Sequence, residues 1–337
     1  MIEKTYIYKG DFPLEAGGTL KDLTIRYHVS CENHIGKKVI WICHALTANS
    51  DASDWWDTLV GEGKLFDTER YFVICANVIG SCYGTTGPSN YAPAPMLKFP
   101  LVTIHDFVSA HEILCRHLGI ESIDMLVGGS NGGFQSIEWA VSNPGLIKNL
   151  CLLASSAVVS PWVTATLEAQ RMAIEADASF VEQKNLHGGA AGLAAARAMA
   201  LTTYRNYDGY LRTQKEPDSD FLKANRACTY ERYQGEKLVR RFDAYSYYSL
   251  ANSVDTHNIG RNRGGVEAAL ARIEAKTLCV YVDSDILFTR DESERIVAGV
   301  KNGVLEGISS DFGHDGFLLE YEQIAAAIKK HFPFMNN

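Results

Sequence analysis

Five short apolar runs divide the chain, and each is followed by a turn rich in Gly, Ser or Asn. Runs of this length are typical of strands that are buried on both faces, as in a parallel sheet. Helical patterns at residues 101–118 and 132–142 lie between successive runs. The alternation predicts an α/β fold with a mostly parallel central sheet. The runs occupy residues 39–43, 71–76, 123–127, 150–154 and 277–282.

The alternation stops at residues 160–272, where helical patterns follow one another without a strand-like run. The chain has 337 residues, and a single core grows to about 250–300 residues before chains split or carry insertions. We therefore expect an α/β core in two parts, residues 1–159 and 273–337. The helical stretch between them is predicted to be a lid insertion.

Composition and charge exclude several classes of protein. Hydrophobic residues make up 46% and charged residues 21%, which is typical of a folded globular chain. The net charge of −8 disfavours nucleic acid as a partner. The sequence lacks an apolar run of about 20 residues, a signal peptide at its start and any C-x-x-C pair. We expect a cytoplasmic protein with no membrane span and no metal.

The chemistry is indicated by a G-x-S-x-G motif at residues 128–132, which follows an apolar run and precedes a helical pattern. In a strand–turn–helix context this motif presents a serine nucleophile on a sharp turn. Side chains at Gly128 and Gly132 would clash with the neighbouring strand and helix. Ser130 is therefore the candidate nucleophile, and the Asn131 amide, at the helix N-terminus, is a candidate oxyanion donor.

A serine nucleophile needs a general base, and enzymes with this motif order their residues as serine, acid, histidine. Three histidines follow Ser130 by more than a hundred residues, namely His257, His314 and His331. His314 is favoured because it lies in a Gly-flanked loop after an apolar run. His257 falls in the helical stretch, and His331 falls in an amphipathic tail.

The acid is expected just after the run at residues 277–282, where Asp283 and Asp285 both occur. Spacing favours Asp285 but leaves Asp283 open. A second oxyanion donor is expected in the loop after residues 39–43, where the backbone amide of Leu46 is the candidate. His44 precedes Ser130 in the chain, so we assign it a supporting role in that loop.

Around these residues the chain resembles the homoserine O-acetyltransferase family of the α/β-hydrolase superfamily. The resemblance implies an α/β-hydrolase fold with a helical lid insertion. It also implies that Asp285, in the SDxLF pattern, is the acid that partners Ser130 and His314, with Leu46 and Asn131 as the oxyanion donors. The matching blocks are residues 42–89, 99–108, 127–140, 283–288 and 313–320.

The resemblance further implies an acetyl-CoA-dependent acyl transfer to L-homoserine in methionine biosynthesis, by a ping-pong mechanism. Arg197 resembles the residue that holds the substrate carboxylate, and Tyr204 resembles its neighbour in the acyl pocket. Asp315 resembles the residue that binds the amino group of homoserine. Acyl-CoA and L-homoserine are then the small-molecule partners. No resident cofactor is expected, and the assembly is expected to be a homodimer.

The sequence departs from the family pattern in two places. Asn131 stands where the family usually has Met, and HALTANSDASDWW differs from the commoner HALTG pattern. Both segments flank the expected acyl end of the site. The alternatives that remain open are an O-succinyltransferase, a serine O-acyltransferase, and a carboxylester hydrolase on the same scaffold.

Overall fold

The computed structural model describes residues 1–336, and within this range the chain forms one eight-stranded sheet of order β1-β2-β4-β3-β5-β6-β7-β8. Strands β1 and β2 form an antiparallel hairpin, and β2 pairs antiparallel with β4, whereas all later neighbours are parallel. The strands are β1 (Ile2–Pro13), β2 (Thr19–Val29), β3 (Val39–Cys43), β4 (Phe72–Ala76), β5 (Met125–Gly129), β6 (Asn149–Leu153), β7 (Lys276–Val282) and β8 (Gly303–Ile308).

The parallel strands are buried on both faces, which is why they read as continuous apolar runs. In β3, Trp41 and Cys43 belong to the hydrophobic core on one face, whereas Ile40 and Ile42 belong to the core on the other. The predicted α/β class with a mostly parallel sheet is therefore confirmed. The β1–β2 hairpin was missed, because its two strands alternate more and less exposed residues instead of forming an apolar run.

Helices cover both faces of the sheet. Phe107 of α2, Ile137 of α3 and Ile296 of α11 pack in one core, and Ala52 of α1 and Ile328 of α13 pack in the other. The helices of the described residues are α1 (Ala52–Trp55), α2 (Ile104–His117), α3 (Asn131–Ser142), α4 (Pro161–Glu175), α5 (Ala178–Glu182), α6 (Ala190–Tyr204), α7 (Tyr207–Gln214), α8 (Arg226–Val239), α9 (Ala244–Asp255), α10 (Val266–Leu270), α11 (Arg290–Gly299), α12 (Gly316–Leu319) and α13 (Tyr321–His331).

Seven of these helices, α4 to α10, follow one another between β6 and β7. Helices α4, α6 and α8 pack against each other in that order, and the last turn of α6 contacts the segment Gly313–Asp315 after β8. The domain boundaries at 160 and 272 stay a prediction. Among residues 1–336, no helix has the length and apolar character needed to cross a membrane.

The carboxyl ends of the parallel strands meet at one edge of the sheet. Cys43 of β3 pairs with Gly128 of β5, and Val282 of β7 pairs with Ile308 of β8. The loops that follow these strands therefore start side by side. In open α/β sheets this edge is where ligands bind.

Helix α3 packs unusually close to β3 and β5. A Cβ atom on Gly128 would lie 2.2 Å from the carbonyl oxygen of Gly132, and one on Gly132 would lie 2.1 Å from the carbonyl oxygen of Cys43. Real Cβ atoms do not approach backbone this closely, so both positions require glycine. The expected clash at these glycines is confirmed, and it fixes the turn between β5 and α3.

We expect Gly132→Ala to lower the free energy of unfolding by about 3 kcal/mol, because the added methyl group must displace backbone. Gly145→Ala is the matched control. A Cβ atom there meets nothing within 4 Å, so the change should stay within about 0.5 kcal/mol. Urea unfolding followed by circular dichroism measures both. Equal stability of the two variants would contradict the packing argument.

Candidate active site

Ser130 lies in the turn between β5 and α3, where its backbone adopts φ 57° and ψ −125°. A positive φ is costly for a residue with a Cβ atom and persists only where the surrounding structure imposes it. The close packing at Gly128 and Gly132 imposes it here. The strained turn places the Ser130 side chain on the wall of a cavity at the carboxyl edge of the sheet.

The Ser130 hydroxyl is the first member of a chain of three side chains. Its Oγ lies 2.8 Å from Nε2 of His314, and Nδ1 of the same ring lies 2.7 Å from Oδ2 of Asp285. The other carboxylate oxygen of Asp285 accepts the backbone N–H groups of Leu287 and Phe288, at 2.7 and 3.1 Å. A carboxylate so fixed holds the ring with its proton on Nδ1, which leaves Nε2 free to accept the serine proton.

The other candidate bases lie elsewhere. His257 is buried with Nε2 2.8 Å from the carbonyl oxygen of Ser156, and the Nε2 atom of His331 lies 2.7 Å from Glu306. Neither ring is hydrogen-bonded to Ser130. Of the histidines that follow the nucleophile, the structure brings His314 to it.

The choice between the two carboxylates after β7 is also decided by geometry. Asp283 accepts the backbone N–H of Ser310 at 3.1 Å, whereas Asp285 contacts the ring of His314. Asp283 therefore supports the loop that carries the histidine. Spacing along the sequence could not separate the two, because both follow the same strand.

The environment of His314 sets its protonation. Burial lowers the pKa of the ring, but the charge and hydrogen bond of Asp285, with a further contribution from Asp315, outweigh burial and raise the pKa above its ordinary 6.5. A base with a pKa near the working pH accepts and returns a proton efficiently.

The two predicted oxyanion donors flank the nucleophile. Leu46 and Ser130 line the same cavity, and Asn131 is the first residue of α3. Among the hydrogen bonds of the described residues, the backbone N–H groups of Leu46 and Asn131 have no acceptor. Free amides on both sides of an attacked carbonyl would stabilise the negative charge that develops on its oxygen.

The loop that carries Leu46 is held from behind by buried polar groups. His44 has Nδ1 2.8 Å from the carbonyl oxygen of Ala45 and accepts the Val78 N–H at Nε2. Burial lowers the pKa of His44 to about 4, so the ring is neutral near pH 7 and can accept the Val78 N–H. The sequence analysis missed Asn77. Its Oδ1 atom accepts a hydrogen bond from the backbone N–H of Ser50, and its Nδ2 atom donates one to the Ser50 hydroxyl.

The cavity above Ser130 has a volume of about 470 Å³, and we call it the outer cavity. The three predicted substrate-binding residues, Arg197, Tyr204 and Asp315, all line it. The Arg197 guanidinium lies 5.5 Å from the ring centre of Tyr204, and within residues 1–336 it makes no ion pair with a carboxylate. The helices between β6 and β7 thus place an unneutralised cation beside the nucleophile.

Sequence reasoning missed Arg205, which lies directly after α6. Its Nε atom is 2.9 Å from Oδ2 of Asp315, and its guanidinium lies 5.2 Å from the ring centre of Phe312. Burial raises the pKa of Asp315, while Arg205 and Arg197 oppose that rise. Arg205 therefore ties α6 to the loop of His314 and helps to keep Asp315 ionised. The sequence feature that could have indicated Arg205 is the tripeptide Thr203-Tyr204-Arg205, which spans the end of α6.

Comparisons with known proteins identify the family. The model of the α/β hydrolase fold family matches residues 38–321. A homoserine O-acetyltransferase from Cyclobacterium marinum is 39% identical over 340 residues, which cover 98% of this chain and 95% of the relative. The chain belongs to the homoserine O-acetyltransferase family. It is an enzyme of the acyltransferase type found in that family.

The solved structures that are similar to this chain include both homoserine O-acetyltransferases and ester hydrolases. A homoserine O-acetyltransferase from Staphylococcus aureus superposes with a TM-score of 0.83 at 28% identity, covering 100% of this chain and 95% of the other. An acetylester hydrolase from Corynebacterium glutamicum superposes with a TM-score of 0.85 at 25% identity, covering 98% and 96%. The fold is therefore shared by proteins named as acetyltransferases and as ester hydrolases.

A second, smaller cavity of about 40 Å³ adjoins Ser130 on the other side, and we call it the inner cavity. Its wall is mainly apolar, with Phe134, Leu167 and Phe288 among the lining residues. Asn131, which stands where the homoserine O-acetyltransferase family usually has Met, also lines it. Both side-chain polar atoms of Asn131 are buried without a hydrogen-bond partner in the described structure, an arrangement that costs free energy.

The geometry of His314 predicts a pH profile. Below its pKa the ring is protonated and cannot accept the Ser130 proton, so kcat/KM should fall as the pH drops through a value above 6.5. Asp285→Asn removes the charge that raises this pKa, so the acid limb should move to lower pH and kcat should fall by about 10⁴-fold. Turnover of p-nitrophenyl acetate measures both quantities.

Asp283→Asn is the matched control, because the Asp283 carboxylate accepts a hydrogen bond from the backbone N–H of Ser310 and does not contact the ring of His314. It should keep the acid limb in place and retain most of kcat. If Asp283→Asn shifted the limb and Asp285→Asn did not, the assignment of the acid would be wrong.

Proposed function

We propose that this chain transfers an acetyl group from acetyl-CoA to the γ-hydroxyl of L-homoserine, as a step of methionine biosynthesis. One observation carries the proposal. The Ser130–His314–Asp285 chain stands at the base of a cavity whose wall presents both an unpaired guanidinium and a carboxylate. An amino acid substrate requires both charges, whereas a simple ester requires neither.

The reaction begins at the serine. His314 takes the Ser130 proton as Oγ attacks the thioester carbonyl, and the oxygen becomes negative between the Leu46 and Asn131 amides. The carbon–sulfur bond then breaks, and the CoA thiolate leaves with the proton from His314. An acetyl-serine ester remains, so the first product departs before the acceptor reacts, which is a ping-pong sequence.

The second half-reaction mirrors the first. His314 takes the proton of the homoserine γ-hydroxyl, whose oxygen attacks the acetyl-serine ester. The tetrahedral intermediate collapses by breaking its bond to Ser130, and the serine oxygen recovers the proton from His314. O-acetylhomoserine leaves, and the free enzyme is restored without any change in redox state.

Charge complementarity orients the acceptor. Arg197 offers a guanidinium that matches a carboxylate in a bidentate geometry, and Asp315 offers a carboxylate to the ammonium group. The Arg205 contact keeps Asp315 in place. With both ends held, the γ-hydroxyl is the group left to meet the acyl-enzyme. Such orientation is worth effective molarities of about 10⁵ M or more, which favours transfer over hydrolysis.

The inner cavity favours acetyl as the transferred group. Its volume of about 40 Å³ is small beside the outer cavity of about 470 Å³, which suits a small acyl group. A succinyl group would add four heavy atoms, three of which form a carboxylate. The residues that line the inner cavity in the described structure include no lysine or arginine to neutralise that charge.

A carboxylester hydrolase is the second candidate. It is favoured by the similarity to the acetylester hydrolase from Corynebacterium glutamicum and by the unpartnered amide of Asn131 beside the nucleophile. A polar group at that position offers a hydrogen bond to a water molecule, which could attack the acyl-serine. The two functions share the first half-reaction and differ only in the acceptor.

The deciding experiment measures CoA release from acetyl-CoA and from succinyl-CoA, each with and without L-homoserine. We expect rapid release only from acetyl-CoA with homoserine, and O-acetylhomoserine in the mass spectrum. L-Serine as the acceptor tests the remaining alternative, and Ser130→Ala is the inactive control. Release at one rate with or without an acceptor would establish the hydrolase, and Asn131→Met would then be expected to reduce it.

Arg197→Ala should raise the KM for L-homoserine by about 100-fold, because a charge-assisted contact to the carboxylate is lost. The KM for acetyl-CoA should change little. Arg212→Ala is the matched control, since this exposed arginine pairs with Asp311 and does not line the outer cavity. Steady-state kinetics at saturating second substrate separate the two constants. An unchanged KM for homoserine would remove the proposed role of Arg197.

Other expectations from the resemblance stay predictions. These are the homodimer, the cytoplasmic location, and the absence of a resident cofactor or metal. Large apolar side chains are exposed on the helices between β6 and β7, including Trp162, Met172 and Val181. Such side chains support a contact between copies of the chain, since exposed apolar patches mark interaction sites.

A further inference from the structure

Two further cations line the outer cavity, and neither has a part in the mechanism above. They are Lys237 near the end of α8 and Arg241 just after it, and we call them the cation pair. In the part of the chain that the structure describes, Lys237 makes no hydrogen bond or ion pair. Arg241 donates to the carbonyl oxygen of Thr47 and to the Tyr83 hydroxyl, at 2.8 Å for the latter, but contacts no carboxylate.

The charges on the cavity wall do not balance. Three cations line it, namely Arg197, Lys237 and Arg241, against the carboxylates of Asp54 and Asp315. Asp315 is already neutralised by Arg205, which lies outside the lining. The whole chain carries a net charge of −8, so the local excess at this opening is opposite in sign to the charge of the chain as a whole. An excess of this kind attracts an anionic ligand.

The position of the cation pair separates it from the acceptor site. Arg197 packs on Tyr204, and Tyr204 reaches the inner cavity as well as the outer one. Lys237 and Arg241 are both exposed to solvent, whereas Arg197 is only partly exposed. They therefore stand at the mouth, with Ser130 at the base between the two cavities.

We propose that the cation pair binds the phosphate groups of the acyl-CoA donor. This inference rests on the proposed function. In acyl-CoA a long uncharged pantetheine arm separates the thioester from the diphosphate and the 3′-phosphate. With the thioester at Ser130, the phosphates lie toward the mouth, where the cation pair stands. The flexible ammonium group of Lys237 suits phosphate oxygens. So does the guanidinium of Arg241, whose orientation is fixed by its hydrogen bonds to Thr47 and Tyr83.

The test compares Lys237→Ala with Arg240→Ala. Arg240 is the matched control because it is an exposed cation on the same helix end that pairs with Glu236 and does not line the cavity. We avoid Arg241, since its bond to Thr47 also supports the oxyanion loop. The donors are acetyl-CoA and S-acetylpantetheine, which carries the same thioester but no phosphate.

We expect Lys237→Ala to raise the KM for acetyl-CoA by about tenfold, with no change for S-acetylpantetheine or in the KM for L-homoserine. Added salt should raise the KM for acetyl-CoA in the wild type more than in the variant. Arg240→Ala should leave all three constants unchanged. An equal effect of both substitutions, or an equal effect on both donors, would overturn the inference.

A binding measurement separates this inference from the proposed function. Isothermal titration with CoA should give a dissociation constant about tenfold weaker for Lys237→Ala than for the wild type. If the wild type shows no homoserine-dependent CoA release, the proposed function fails on that assay alone. If release occurs but CoA binds both proteins equally, the proposed function stands and the phosphate site is wrong.

Discussion

The strained turn at Ser130 is the constraint on which the rest of the site depends. Helix α3 approaches β3 so closely that only glycine fits at position 132, and this contact holds Ser130 at a positive φ. The same turn starts α3 at Asn131, so the nucleophile and one oxyanion amide are positioned by a single feature. Hydrogen bonds add to this contact, since the Ser130 N–H donates to the Leu153 carbonyl oxygen at 3.0 Å and the Ser155 hydroxyl donates to the Ser130 carbonyl oxygen at 3.1 Å.

The site is assembled from two layers of the molecule with different tasks. The sheet supplies the nucleophile, the acid and the base from loops that follow β5, β7 and β8. The helices between β6 and β7 supply Arg197, Tyr204 and the proposed phosphate contact at Lys237. Arg205 joins the layers through its ion pair with Asp315, directly beside the base. In the proposed function, the loops of the sheet therefore carry out the chemistry, and the helices that cover it select the substrate.

The likeness to both acyltransferases and ester hydrolases follows from this division. Attack by a serine on an acyl carbon is common to the two reactions, and it needs only the sheet-derived groups. What distinguishes them is whether an amino acid or water reaches the acyl-serine. The charges of Arg197 and Asp315 favour the amino acid, whereas the buried amide of Asn131 is a polar group where the family usually has an apolar side chain.

The sequence by itself determined the α/β class and predicted Ser130 and His314 as candidate nucleophile and base, because buried parallel strands and the glycine-bounded turn leave local signatures in the chain. It missed the β1–β2 hairpin, whose alternating pattern is weak, and it left Asp283 and Asp285 unresolved by spacing. Only the tertiary structure selected Asp285 and revealed Arg205, Asn77 and the cation pair. These roles depend on contacts between residues far apart in the chain, and local pattern carries no information about which distant groups come together.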